Sequence, residues 1–137
     1  MIAPHSHVKE AEDGDLVSAG EILIAPGNLH MEVKKRGLSM TVVLKNYPKV
    51  NSHKPSVNVL FASMAKEVGS RGVGIILTGM GDDGASKLKE MREHGALTYA
   101  QDEKSCMVYG MPRVAVELGA VDVSLALDKI AVKINEL

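Results

Sequence analysis

One stretch constrains the fold more than any other: Val73-Gly-Ile-Ile-Leu-Thr-Gly-Met-Gly-Asp-Asp-Gly84. An apolar run passes straight into glycines and then into a helical pattern carrying Ala85, Leu88 and Met91 on one face. So short a run, bounded by glycine, suits a strand of a parallel sheet covered on both faces. Asp83 stands where a natural N-cap belongs, and Gly95 ends the helix. Upstream, Ser56 can cap a helix whose Val57, Leu60, Phe61, Met64 and Val68 fall at helical spacing, with Gly69 as its stop. Downstream come a strand at Leu97 to Ala100, a helix from Pro112 to near Gly119, and a strand at Val121 to Val123. A final helix follows, capped by Ser124, with Leu127, Ile130, Ala131, Ile134 and Leu137 on its buried stripe. Helix and strand alternate from Ser56 to the end, the pattern of a mostly parallel α/β sheet.

The first third reads differently. Val8 to Gly14 is polar and acidic, and Glu21 to Ala25 is a short strand stopped by Pro26-Gly27. His30 to Lys34 and Met40 to Leu44 flank Arg36-Gly37, which predicts a β-hairpin. Asn46 to Pro55 is a loop. The whole, residues 1–137, reads as one domain.

Composition narrows the function classes. Aromatic residues are 3% of the chain, so the core is aliphatic and platforms for stacking bases are scarce. A formal net charge of -1 offers nothing to nucleic acid or to an anionic membrane. No apolar stretch approaches a bilayer-spanning length, and the N-terminus lacks the pattern of a signal peptide. Cys106 is the single cysteine, which rules out an intrachain disulfide or a cysteine-based zinc site and fits a cytoplasmic location. Cys106 reads as a small buried hydrophobe, and Lys87 to Glu90, Arg92 and Glu93 as a solvated helix face. His5 and His7 form a weak metal pair at a terminus whose simpler reading is fraying. No metal or cofactor is expected.

The glycine loop after the buried strand is where chemistry is expected, because ligands of open α/β folds sit at the carboxyl ends of strands. Gly79-x-Gly81-x-x-Gly84 matches a dinucleotide fingerprint, with Asp102 and Glu103 near the distance of a ribose carboxylate. Asp82 and Asp83 oppose that reading, since they sit where a pyrophosphate would approach. Two carboxylates at a strand end serve better as a helix cap, a metal ligand or the acid that orients a histidine. His30 and His53 are nearby candidate bases, and Ser56, Ser86 and Ser105 candidate nucleophiles, but none lies in a nucleophile elbow.

Four ordered segments carry a family resemblance. Ile24-Ala-Pro-Gly-Asn-Leu-His30, Lys54-Pro-Ser-Val-Asn-Val-Leu-Phe61, Ile76-Leu-Thr-Gly-Met-Gly-Asp-Asp-Gly-Ala85 and Tyr109-Gly-Met-Pro-Arg113 resemble the chemotaxis protein-glutamate methylesterases, and Val8-Lys-Glu-Ala-Glu-Asp-Gly14 agrees. The resemblance implies a three-layer α/β/α fold around a mainly parallel sheet, and hydrolysis of glutamate methyl esters, with glutamine deamidation, on chemoreceptors. It implies that Asp83 is the acid of a serine–histidine–aspartate triad and that Met80 offers its backbone N–H to the oxyanion. Met111 would shape the same end of the sheet. The family's serine and histidine motifs belong upstream of these segments, and neither occurs in this sequence; the receiver domain and linker are absent too. Lys54 and Asn58 stand where the family typically shows Arg and Asp.

The expectation is therefore a fragment lacking the domain's first strands, inactive or nearly so alone. Its Asp83 carboxylate would aim into a cleft completed from outside the chain. An orphaned half-domain that pairs with itself or with the missing N-terminal half is the rival reading, and a nucleotide-binding α/β domain the third.

Overall fold

A computed structural model describes residues 7–137. His5 lies outside the described residues; His7 opens the first strand, 3.5 Å from Glu21. In order, the elements are β1 (His7–Glu10), β2 (Glu21–Ile24), β3 (His30–Arg36), β4 (Ser39–Lys45), α1 (Val57–Glu67), β5 (Val73–Ile76), α2 (Ala85–Glu93), β6 (Leu97–Gln101), α3 (Met111–Glu117), β7 (Val123–Leu125) and α4 (Leu127–Glu136), with a 3-10 turn at Gly69–Arg71. The strands form three separate sheets among the described residues: a parallel pair β1-β2, an antiparallel pair β3-β4, and a parallel sheet in the order β5-β6-β7.

The expected hairpin is present. Arg36 pairs with Ser39, which leaves Gly37 and Leu38 as a two-residue turn, and Gly37 has φ 62, the left-handed region such turns require. Its inward positions, Met31, Val33 and Val42, are buried. Below the hairpin lies α1, tied to it where the Val33 N–H donates to Ser63 Oγ at 2.9 Å. The larger core lies between α1, α2 and the β5-β6-β7 sheet, where Phe61, Ala65, Ile76, Leu88, Met91 and Ala100 meet. So many alanines in this cluster, Ala85, Ala96, Ala115 and Ala120 included, let helices and sheet approach closely.

Several boundaries differ from expectation. A strand was not foreseen at His7–Glu10; it pairs in parallel register with Glu21–Ile24, so pairing and not apolar pattern makes it a strand. The last strand is Val123–Leu125, so Ser124 lies within it and does not cap; Ala126, in extended conformation, precedes α4. β5 is not covered on both faces. Gly74 and Ile76 are buried, whereas Val73 and Ile75 on the opposite face are only half-buried. β2 and β5 do not pair. An open groove of ≈1020 Å3 has Glu21, Val33, Met64, Val68 and Val73 among its lining residues. Arg92 is more than a solvated residue. Its Nε donates to Asp122 Oδ1 at 2.8 Å, and a further guanidinium nitrogen donates to the Gly119 carbonyl. Asp122 Oδ2 in turn accepts the Thr98 N–H at 2.8 Å, which latches α2, the α3–β7 turn and β6 together.

Two measurements test this packing. A Cβ on Gly74 would meet Leu88 Cδ1 at 2.5 Å and Met91 Sδ at 3.2 Å, so Gly74→Ala is expected to cost about 1–3 kcal/mol in urea melts. Burial pushes the Asp122 carboxyl up, but hydrogen bonds from the Thr98 amide and the Arg92 guanidinium outweigh it and hold the group below the usual carboxylate range. A depressed folded value contributes stability above the unfolded pKa and loses it as pH falls through the folded one. Asp122→Asn should therefore melt lower than the parent at neutral pH, with the gap closing as the pH falls below the usual carboxylate range.

Candidate functional site

Two loops meet at the carboxyl end of the β5-β6-β7 sheet. The first, Leu77 to Gly84, leaves β5; the second, Asp102 to Gly110, leaves β6. Thr78 clasps them: its Oγ1 donates to the Val108 carbonyl at 3.1 Å and accepts the Val108 N–H at 2.9 Å. The Gly79 N–H donates to the Val108 carbonyl, and Met111 N–H to the Gly79 carbonyl at 2.7 Å. Gly110 has no room for a side chain, because a Cβ would sit 2.5 Å from the Gly79 carbonyl oxygen and 3.2 Å from Met80 Cα. The clasp raises the Met80 and Met107 side chains into solvent, 81% and 95% exposed. Among the described residues no acceptor takes the Met80 N–H.

Gln101, fully buried at the end of β6, supports both loops. Its Oε1 accepts the Thr78 N–H at 2.8 Å and its Nε2 donates to the Ser105 carbonyl at 2.8 Å. Neither Thr78 nor Gln101 was singled out from the sequence. The available signal was a polar residue at or just past the end of each of two neighbouring apolar strands. Hydrogen bonds from Ser105 hold the Asp102 carboxyl below its ordinary value. Burial pushes the Cys106 thiol up, although the residue is half-buried and not the buried hydrophobe that the sequence suggests.

The sequence predicts Asp83 as the cap of its own helix, and the structure corrects this. Gly84, at φ 91, holds the N-cap position of α2, where a side chain would strike Val57 Cγ1 at 2.7 Å. The Asp83 carboxylate reaches across to α1. Oδ2 accepts the Val57 N–H at 2.7 Å; Oδ1 accepts the Ser56 hydroxyl at 2.8 Å and the Asn58 N–H at 3.4 Å. Asn58 Oδ1 returns the bond by accepting the Gly84 N–H at 3.0 Å. The two helix starts thus exchange caps, a consequence of their N-termini lying side by side. Ser56 occupies the N-cap position of α1 as expected, with φ -105 and ψ 134, but its side chain does not cap. The expectation of a carboxylate aimed into an open cleft is corrected too: Asp83 is 3% exposed. Asp82 is the exposed acid. It accepts from Asn51 Nδ2 at 3.0 Å and lines a cavity of ≈380 Å3 with Asn58, Ser86 and Val114.

The other candidate bases and nucleophiles do not form a triad. His30 is fully buried and stacked on Tyr47 with ring centroids 4.5 Å apart. A carbonyl only accepts, so the 3.0 Å contact to the Pro48 carbonyl places the ring proton on Nε2. Nδ1 then accepts the Ser56 N–H at 3.3 Å, so both nitrogens are occupied by backbone and neither reaches a hydroxyl. His53 is exposed, its backbone bridged to Val50. Ser105 Oγ donates to Asp102, and Ser86 lines the Asp82 cavity.

The dinucleotide reading meets a physical obstacle. The first amides of α2 are already taken, Gly84 N–H by Asn58 and Ala85 N–H by the Asp82 carbonyl, and Asp102 is engaged by Ser105. Its third glycine serves the contact with α1 and not a phosphate. No group of three or more metal-ligating side chains assembles among the described residues. No helix among them is long and apolar enough to cross a membrane.

A sequence profile described as CheB methylesterase matches residues 3–134. The chain is 54% identical over 129 residues to a protein-glutamate methylesterase/protein-glutamine glutaminase of Anaeromyxobacter dehalogenans, covering 94% of this chain and 36% of that relative. Against the corresponding Sulfurimonas denitrificans protein it is 53% identical over 130 residues, covering 95% of this chain and 37% of the relative. The chain thus spans little more than a third of the length of these relatives. The solved catalytic domain of Thermotoga maritima CheB methylesterase superposes with TM-score 0.90 at 35% identity, over 93% of this chain and 68% of that domain. By sequence and by fold, then, the chain belongs to the CheB methylesterase family, in the part of its catalytic domain that carries the glycine loop.

Proposed function

We propose that this chain supplies the acid and one oxyanion donor of a protein-glutamate methylesterase and glutaminase, acting on methylated or amidated glutamate positions of chemoreceptors. In this reading Asp83 orients the catalytic histidine and stabilises its charged form, and the Met80 N–H faces the oxyanion. The serine and the histidine come from the remainder of the domain, so the chain alone carries no turnover.

The carrying observation is the set of donors around Asp83. A triad acid is buried and held by several hydrogen bonds, not solvated, and Ser56, Val57 and Asn58 provide that setting at the carboxyl end of β5. The open groove that the start of β2, the hairpin, α1 and the start of β5 line supports the second half of the proposal. Strands inserted there would join β1-β2 to β5-β6-β7 as one mainly parallel sheet, with helices on both faces, and would cover Val73. The same groove favours a second reading, an interaction module. Without those strands, two unpaired sheet edges flanking an apolar floor invite association with another copy.

The direct test adds the serine- and histidine-bearing portion of a relative's catalytic domain and measures methanol released from methylated receptor. Activity is expected in the mixture and not in either part. Asp83→Ala is expected to reduce kcat by about 10^4-fold, with Asp83→Asn separating loss of the charge from uncapping of α1. Full activity of Asp83→Ala removes the assigned role. For the second reading, sedimentation of the chain alone is expected to give a mass that rises above 14.6 kDa with concentration; a monomer at high concentration counts against it.

A further inference from the structure

The polar cluster beneath the glycine loop holds a feature that capping does not require. Asp83, Ser56 and His30 are each at least nine-tenths buried, at 3%, 2% and 0% exposure. They belong to three different elements: the β5–α2 turn, the start of α1 and the start of β3. Two backbone amides would suffice to cap α1. Yet the short contact on Oδ1 is the Ser56 hydroxyl at 2.8 Å, and the Asn58 amide lies at 3.4 Å. Without the hydroxyl, Oδ1 keeps only a bond at the weak end of the distance range, and the carboxylate can turn about its Cβ–Cγ bond. The backbone that carries the Ser56 hydroxyl is positioned in turn. Its N–H is held by His30 Nδ1, and the imidazole is locked by the Pro48 carbonyl and the Tyr47 ring.

Each carboxylate oxygen accepts about two hydrogen bonds. Oδ1 carries two, from Ser56 and Asn58, and Oδ2 carries one, from Val57. One acceptor site is left, on Oδ2. We propose that Ser56 is a positioning residue, anchored by His30, whose hydroxyl fixes the plane of the Asp83 carboxylate so that Oδ2 presents its remaining lone pair to the ring N–H of the catalytic histidine. This rests on the reading of Asp83 as the triad acid, and it adds which oxygen does the work and what aims it. Ser56 touches neither substrate nor histidine; it acts through Asp83.

The test has a structural arm and a kinetic arm. Crystal structures of the chain carrying Ser56→Ala and Ser56→Thr give the first. The alanine variant is expected to show the carboxylate plane turned about the Cβ–Cγ bond, with Oδ1 displaced, and threonine to keep the parent plane; the apolar hollow of ≈110 Å3 that Ser56 lines leaves space for the added methyl. An unrotated carboxylate in Ser56→Ala overturns the proposal. In the reconstituted esterase, Ser56→Ala is expected to lower kcat about 10-fold at unchanged KM, with threonine restoring it. Unchanged kcat in Ser56→Ala, in an assembly that Asp83→Ala inactivates, also overturns it. If Asp83→Ala stays active, the triad-acid reading fails instead, and the structural arm still decides whether Ser56 orients the carboxylate.

Discussion

The carboxylate of Asp83 is the joint on which the arrangement of the helices turns. The N-termini of α1 and α2 lie side by side, so two positive dipole ends face one another. A negative group between them offsets that repulsion and fills donors that have no intrahelical partner. Three hydrogen bonds converge on the carboxylate, and Asn58 sends one back to Gly84. A charge-assisted bond of this kind contributes roughly 1.5–3 kcal/mol. The glycine loop is suspended from this joint at one end and from the Thr78 clasp at the other, which fixes the position of Met80 between them.

The joint also accounts for an absence of side chains. Gly84 has none because Val57 occupies the space, and Gly110 has none because the Gly79 carbonyl does. What looks in the sequence like a phosphate-binding rhythm is here a record of backbone lying against backbone and helix lying against helix. The same contacts hold the loop backbone around Met80, whose N–H takes no acceptor among the described residues.

Much of the scaffold was legible because it rests on local rules. The hairpin was written in Arg36-Gly37, and α1 and α2 in the spacing of Leu60, Phe61 and Met64 and of Ala85, Leu88 and Met91. Less was legible where a partner distant in sequence decides. Asp83 next to a helix reads as its cap; that it caps a helix starting 26 residues earlier depends on tertiary contact between Asp83 and Val57. β1 is a strand because β2 lies beside it, and Ser124 enters β7 because Ala100 pairs with it. The family resemblance placed Asp83 and Met80 at one loop, and the comparisons support the family itself. Neither the resemblance nor the spacing foretold the buried Ser56–His30 support, because its bonds join loops and strand ends with no shared period.

Leu60, in α1, packs against both hydrophobic clusters, the one under β5 and β6 and the smaller one around Ala11, Met31 and Val42. The helix is thus a shared wall between two cores whose sheets never touch through hydrogen bonds. Opening either core on its α1 side strips packing from the other, so slow amide exchange on the two sides of α1 is expected to be lost together and not sheet by sheet.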